Sequence, residues 1–210
     1  MKIIPEHIVE KITLVQKKPL KVFEIMIGML FIRNWEKIKD ENVIIFNETV
    51  RDEVLRIYNE NFTEIYEERF LKYAQYFNNI SYVYRDEEGV KGYCFFFSKP
   101  LFSSGGMKKL CTVYSFAVDN KCRRQGIGEK LLQKGIREME LNGIDTVILY
   151  VEVNNESAIK LYRKVGFKTI GEVRDICSPG DRCFEMALDI SKDTEVAAAI
   201  SKPSREWLDK

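Results

Sequence analysis

The apolar positions change period several times along the chain, and the changes outline an ordered set of elements. Ile8, Ile12 and Val15 recur at helical spacing before Lys17-Lys18-Pro19 interrupts them. An apolar run, Val22–Ile32, follows with Glu24 inside it, and then Trp35. This run has three readings: cover for the main core, a homodimer contact, or a lipid-facing helix. Core cover is preferred, because apolar runs of this length are usually buried and fall short of the ~18 residues a membrane span needs. From Val43 the pattern becomes regular. Val43–Phe46 reads as a short strand, Thr49 as an N-cap, and Val54, Leu55, Tyr58 and Phe62 as the stripe of a helix. Tyr66, Phe70, Tyr73, Ala74 and Phe77 mark a second amphipathic helix.

Ser81–Arg85 and Val90–Phe97 alternate around Glu87-Glu88-Gly89, as in a hairpin. Pro100–Gly106 reads as a mobile Ser/Gly-rich loop and Cys111–Val118 as a strand. Ile127, Leu131, Leu132, Ile136 and Met139 predict a long helix ending near Asn142-Gly143. Thr146–Val151 is almost wholly apolar, as in a strand buried on both faces. Ala158, Leu161, Tyr162 and Val165 give a helix closed by Gly166. Phe167–Glu172 and Cys183–Leu188 complete the strands, and a polar tail follows with an Ala-rich turn at Val196–Ile200. This order predicts a mixed α/β sheet flanked by helices. It also suggests an extension over 1–42, a domain over 43–190 and a tail over 191–210.

Composition narrows the function. Hydrophobic residues at 45% and charged residues at 31% mark a globular chain. The 33 Lys+Arg against 32 Asp+Glu exclude a globally basic coat, so no nucleic-acid partner is expected. The stretch Glu48–Arg69 is acidic and reads mostly as a solvated face. His7 is the single histidine, which removes zinc-site spacing and most Ser–His or Cys–His catalysis; no metal is expected. Five cysteines without a C-x-x-C read as reduced thiols of a cytoplasmic protein.

The chemistry concentrates at Val118–Leu131, where a strand passes through Gly126 and Gly128 into the long helix. First-turn N–H groups of such a helix lack intrahelical partners and the helix dipole favours an anion there. Arg123, Arg124 and Lys130 add positive charge, and a missing Cβ lets a diphosphate approach the backbone. A Walker A loop needs Gly-Lys-Ser/Thr where this chain has Gly-Glu-Lys-Leu, and a Rossmann fingerprint needs a small residue where Leu131 stands.

Arg123-Arg124-Gln125-Gly126-Ile127-Gly128 resembles the Q/R-x-x-G-x-G/A signature of the GCN5-related N-acetyltransferase (GNAT) superfamily. Asn155–Phe167 is similar to its second signature, N-x-x-A-x-x-L-Y-x-k-x-G-F. The resemblance covers roughly 43–190 and is closest to RimI-like members. It implies a largely antiparallel sheet of six or seven strands and an acetyl-CoA-dependent N-acetyltransferase. The main chain of Gln125, Gly126, Ile127, Gly128 and Glu129, with Arg123 and Arg124, would hold the pyrophosphate. The pantetheine arm would run along Phe116, Ala117 and Val118, where neighbouring strands splay apart in this family. Tyr162 would protonate the leaving thiolate, although it also falls on the apolar stripe of its helix. Asn155 reads as an N-cap, a contact to the arm, or both. Glu152 reads as the base or as an ordinary strand-end glutamate, with a water relay as the alternative base. The loop Arg174–Arg182 lacks the tyrosines typical of members acting on peptide N-termini. The acceptor is therefore left as a peptide N-terminus or a small-molecule amine. A non-catalytic acyl-CoA sensor or scaffold, acting through the N-terminal extension, is the alternative.

Overall fold

The computed structural model describes residues 21–62, 66–103, 106–178 and 180–190. His7, Ile8, Ile12, Val15, Lys17-Lys18-Pro19 and Val196–Ile200, read above from the sequence, lie outside the described residues. Helix α1 covers 21–31. Strand β1 (Val43–Ile45) leads through a 3-10 turn into α2 (Arg51–Asn61) and α3 (Glu67–Tyr76). Then come β2 (Ser81–Asp86), β3 (Gly89–Ser103), β4 (Gly106–Val118), α4 (Ile127–Leu141), β5 (Thr146–Glu152), α5 (Glu156–Val165), β6 (Lys168–Arg174) and β7 (Arg182–Asp189). The seven strands form one sheet in the order β1-β2-β3-β4-β5-β7-β6. Only β4 and β5 run parallel. That is the link the long crossover helix α4 makes geometrically necessary.

Side-chain alternation sends Tyr93 and Phe95 to one face of β3, against Val54, Ile57, Phe70 and Ala74 of α2 and α3. Cys94 and Phe96 face the other way, against Leu131, Leu132 and Met139 of α4 and Ile159 and Tyr162 of α5. Each fully buried apolar side chain of this kind stabilises the fold by about 1.5–3 kcal/mol.

Three local expectations are corrected. The described part of Pro100–Gly106 is not a loop: Pro100 pairs with Lys109 and Ser103 with Gly106. The last β2 pairing to β3 is Ser81↔Phe95, so beyond it β3 has no β2 partner, and Gly28 of α1 lies against the Ser98 carbonyl there; a proline's missing N–H costs no ladder bond to β2. Thr49 is not a cap: it lies inside the 3-10 turn, which Asn47 caps by accepting from Thr49 N, while α2 starts after Val50 without a side-chain cap. The five cysteines are not all reduced. Cys177 and Cys183 form a disulfide across the β6–β7 loop, while Cys94, Cys111 and Cys122 are free. The loop folds back on itself through Asp175 N to Asp181 O (3.0 Å) and Gly180 N to Asp175 Oδ1 (2.8 Å), which brings the two cysteines together.

The run Val22–Ile32 buries Gly28 and Ile32 and exposes Val22, Phe23, Met26, Met29 and Leu30. The segment after it is strapped to α4. Trp35 Nε1 donates to Glu138 Oε2 (2.9 Å), Ile38 N to Glu138 Oε1 (2.8 Å), and Lys134 Nζ to the Ile38 carbonyl. Among the described residues no helix is long and apolar enough to cross a membrane.

Candidate active site

The centre of the sheet is a fork. Strands β4 and β5 pair only at Leu110↔Thr146, Cys111↔Val147 and Thr112↔Ile148. Beyond Thr112 the β5-facing main-chain groups of β4 have no strand partner, although β4 continues to Val118 and β5 to Glu152. A bulge begins the separation. Ser115 pairs with Phe95 and Val113 with Phe96, so Tyr114 is the extra residue on β4. Such an insertion sharpens the local twist and turns the strand away from its neighbour. Phe116, Ala117 and Val118 therefore line the open arm of the fork.

The fork opens toward the start of α4. Gly126 is the N-cap residue, with no side-chain cap, and the first intrahelical bond runs from Lys130 N to Gly126 O (2.9 Å). The N–H groups of Ile127, Gly128 and Glu129 precede that bond and have no helical acceptor. The two glycines serve different ends. Gly126 has φ 81°, and a Cβ there would meet nothing within 4 Å. Gly128 is buried, and a Cβ would stand 2.9 Å from the Phe116 ring and 3.2 Å from Leu161. Gly126 thus shapes the turn and Gly128 lets α4 approach β4 and α5. Arg124 also sits at positive φ, 65°, at a cost of about 1–2 kcal/mol for a residue carrying a Cβ.

The side chains around the turn are sorted. Arg124 is exposed. Arg123 donates to Asn61 Oδ1 (2.5 Å) on α2, and Gln125 Nε2 reaches the Lys121 carbonyl at 3.5 Å. Glu129 accepts from Lys164 (2.6 Å) and so ties α4 to α5. Asp119, 7% exposed, anchors the strand end. Its carboxyl is held below the usual range by the Lys121 main-chain N–H and by Arg56, whose guanidinium lies 2.7 Å away.

Tyr162 lies on α5, 6% exposed, with its ring 6.1 Å from Phe116 and 6.0 Å from Phe167. It is therefore both a packed ring and a neighbour of the open arm. Burial raises its phenol pKa, and its hydroxyl carries no hydrogen bond among the described residues. Asn155 caps α5: its Oδ1 accepts from Ala158 N (3.2 Å). Glu152 ends β5 and is exposed. By alternation it lies on the face opposite Tyr162, because Val147, Leu149 and Val151 pack with Tyr162 while Ile148 and Tyr150 pack elsewhere. The fork thus separates Tyr162 from Glu152.

Residues 47–167 match the family model described as acetyltransferase (GNAT) family. That is more than half of the 210 residues. The chain belongs to this family. An N-alpha-acetyltransferase of Sulfurisphaera tokodaii is 41% identical over 76 residues, 36% of this chain and 46% of the relative. The [ribosomal protein bS18]-alanine N-acetyltransferase of Escherichia coli K12 is 43% identical over 56 residues, 27% and 38% of the two chains. The chain thus spans less than half the length of these curated relatives. The fold matches Ard1 from Thermoplasma volcanium with a TM-score of 0.62 at 22% identity, covering 71% of this chain and 97% of that one. The Escherichia coli ribosomal-protein-S18-alanine N-acetyltransferase structure gives 0.57 at 21%, covering 73% and 96%. The GNAT signatures fall on the α4 turn and on α5. Two features escaped the sequence reading. The Arg56–Asp119 pair joins residues too far apart to connect by periodicity. The Tyr150–Glu185 pair did leave a signal: a lone carboxylate within the buried alternation Cys183–Leu188.

Proposed function

We propose that the chain transfers the acetyl group of acetyl-CoA to a primary amine by direct attack on the thioester. The observation that carries this reading is the fork: unpaired main-chain groups on one arm lead directly to the uncapped start of α4. In this reading the N–H groups of Gln125–Glu129 bind the pyrophosphate, and Arg124 adds charge. The amides of the pantetheine arm satisfy the main chain at Phe116, Ala117 and Val118, beside Asn155. Glycine at Gly126 is what the turn requires, so the residues present fit the ligand. A β4 N–H at the fork polarises the thioester carbonyl. Tyr162 gives its proton to the departing thiolate as the tetrahedral intermediate collapses. Glu152, at the solvent end of β5, receives the proton of the incoming ammonium. An amine with pKa near ~7.7–8.0 costs about 1–1.5 kcal/mol to deprotonate at pH 7, against roughly 4–5 kcal/mol for a lysine side chain. The relatives' names, N-alpha and alanine N-acetyltransferase, point the same way, toward α-amines.

In this reading residues 43–190 form the catalytic domain, 1–42 an extension and 191–210 a tail. A homodimer would use the exposed face of α1. A cytoplasmic setting accompanies the reading, and there the Cys177–Cys183 bridge stands against a reducing thiol pool. Replacing Tyr162 with Phe tests the assignment. Turnover of acetyl-CoA with a panel of peptides and small amines falls about 100-fold or more, while coenzyme A still raises the melting temperature as in the wild type. A wild-type chain that binds coenzyme A and acetylates no amine supports a sensor or scaffold instead.

A further inference from the structure

The α3-side face of the fork holds a polar group that no step so far uses. Thr112, Tyr114 and Tyr150 share this face. Thr112 is paired with Phe97, which packs on Tyr73 of α3, and Tyr114 stacks on the same Tyr73 at 4.7 Å. Tyr150 is the first β5 residue on this face beyond the last β4–β5 pair, Thr112↔Ile148. It stands opposite Glu185 on β7, and its hydroxyl donates to Glu185 Oε1 at 3.0 Å. Glu185 is 5% exposed and lies beside Gly171 of β6. Buried Lys99 of β3 is the cation that acts on it. At the apex of the fork, Thr112 Oγ1 is buried and has no hydrogen-bond partner among the described residues. A buried polar atom without a partner is costly unless something polar occupies the space before it.

An acceptor amine carries two protons that must leave. The ammonium loses one before attack, and the nitrogen of the tetrahedral intermediate loses the second after the C–N bond forms. We propose that Tyr150 accepts this second proton while passing its own phenolic proton to Glu185. This assignment rests on the acetyltransferase reading above and deepens it. The nitrogen lone pair forms the C–N bond, the C–S bond breaks, and its electron pair leaves on sulfur. Tyr162 protonates that sulfur, and the proton held by Glu185 returns to Tyr162 through solvent. Tyr150 is suited to the task because its only proton is committed to Glu185, so its lone pairs are what it can turn toward an N–H. Burial raises the carboxyl pKa of Glu185, while Tyr150 and Lys99 oppose that rise. Burial and the Glu185 charge raise that of the Tyr150 phenol. Tyr150 is a catalytic residue in this scheme, and Glu185, acting through it, a positioning residue.

The test uses the full chain, acetyl-CoA and the amine of a peptide and small-amine panel that the wild type acetylates fastest. Tyr150→Phe and Glu185→Gln each lower kcat about tenfold to a hundredfold, with the coenzyme A melting shift and the KM for acetyl-CoA unchanged. The wild-type rate rises with pH as Glu185 ionises; Glu185→Gln flattens that limb, and Glu185→Asp, which keeps a carboxylate, restores it. Both Tyr150→Phe and Glu185→Gln retaining kcat within twofold and the wild-type pH profile overturns the relay alone. A wild type that binds coenzyme A but acetylates nothing overturns the acetyltransferase reading and the relay with it.

Discussion

The two ends of α4 treat their polar groups in opposite ways. At its start, the N–H groups of Ile127, Gly128 and Glu129 have no helical acceptor and the cap residue supplies none. Near its end almost every polar atom is engaged. Glu138, fully buried, accepts from Trp35, Ile38, Tyr82 and Lys134, and Asn142 exchanges hydrogen bonds with Glu36 in both directions (2.8 and 2.9 Å). The helix is the same throughout; what differs is the partner. The closed end takes its partners from this chain's own side chains and main chain: residues 35–38, Tyr82 of β2 and Lys134 of α4 itself. The open end leaves donors for a ligand. Satisfied burial marks where the fold holds itself, and the donors without helical acceptors are the ones the proposed cofactor site uses.

Removing the hub of the closed end has the largest expected effect. Glu138→Ala strands Lys134 and the Trp35 and Tyr82 donors in a buried site, and costs about 3–5 kcal/mol in urea unfolding. Loss of less than 1 kcal/mol would mean that residues 35–42 are not fastened there. A smaller effect separates the glycines at the open end. Gly128→Ala pushes a methyl against Phe116 and Leu161 and costs about 1–3 kcal/mol by the same measurement. Gly126→Ala meets no neighbour and costs about 1–2 kcal/mol through its positive φ alone. A Gly128→Ala chain as stable as the wild type would return Gly128 to the role of a phosphate-approach glycine.

Most of the fold was legible because its elements are amphipathic with clear periods. The order of strands and helices from Val43 onward follows directly from apolar spacing, and the α4 turn from two glycines after a strand. What was not legible depends on pairing at a distance. The outer hairpin hid behind Pro100, since a proline reads as a break unless the β2 strand beside it is known to stop at Ser81, opposite Phe95. The disulfide depends on how the Asp175–Asp181 loop folds back, which no spacing rule encodes. The bulge at Tyr114 exists only once β3 and β4 are in register, and the Tyr150–Glu185 contact only once β5 and β7 are. Nothing in the spacing of α4 marks Glu138 as buried; its burial comes from residues 35–38 closing over it.

In the proposed function the start of α4 binds a diphosphate through its main chain. Backbone amide NMR of the isotopically labelled chain, titrated with coenzyme A, tests it most directly. The largest shifts then fall on the amides of Gln125, Gly126, Ile127, Gly128 and Glu129, with smaller ones at Phe116–Val118. Saturable binding with those amides unmoved, and shifts confined to another surface, would contradict it.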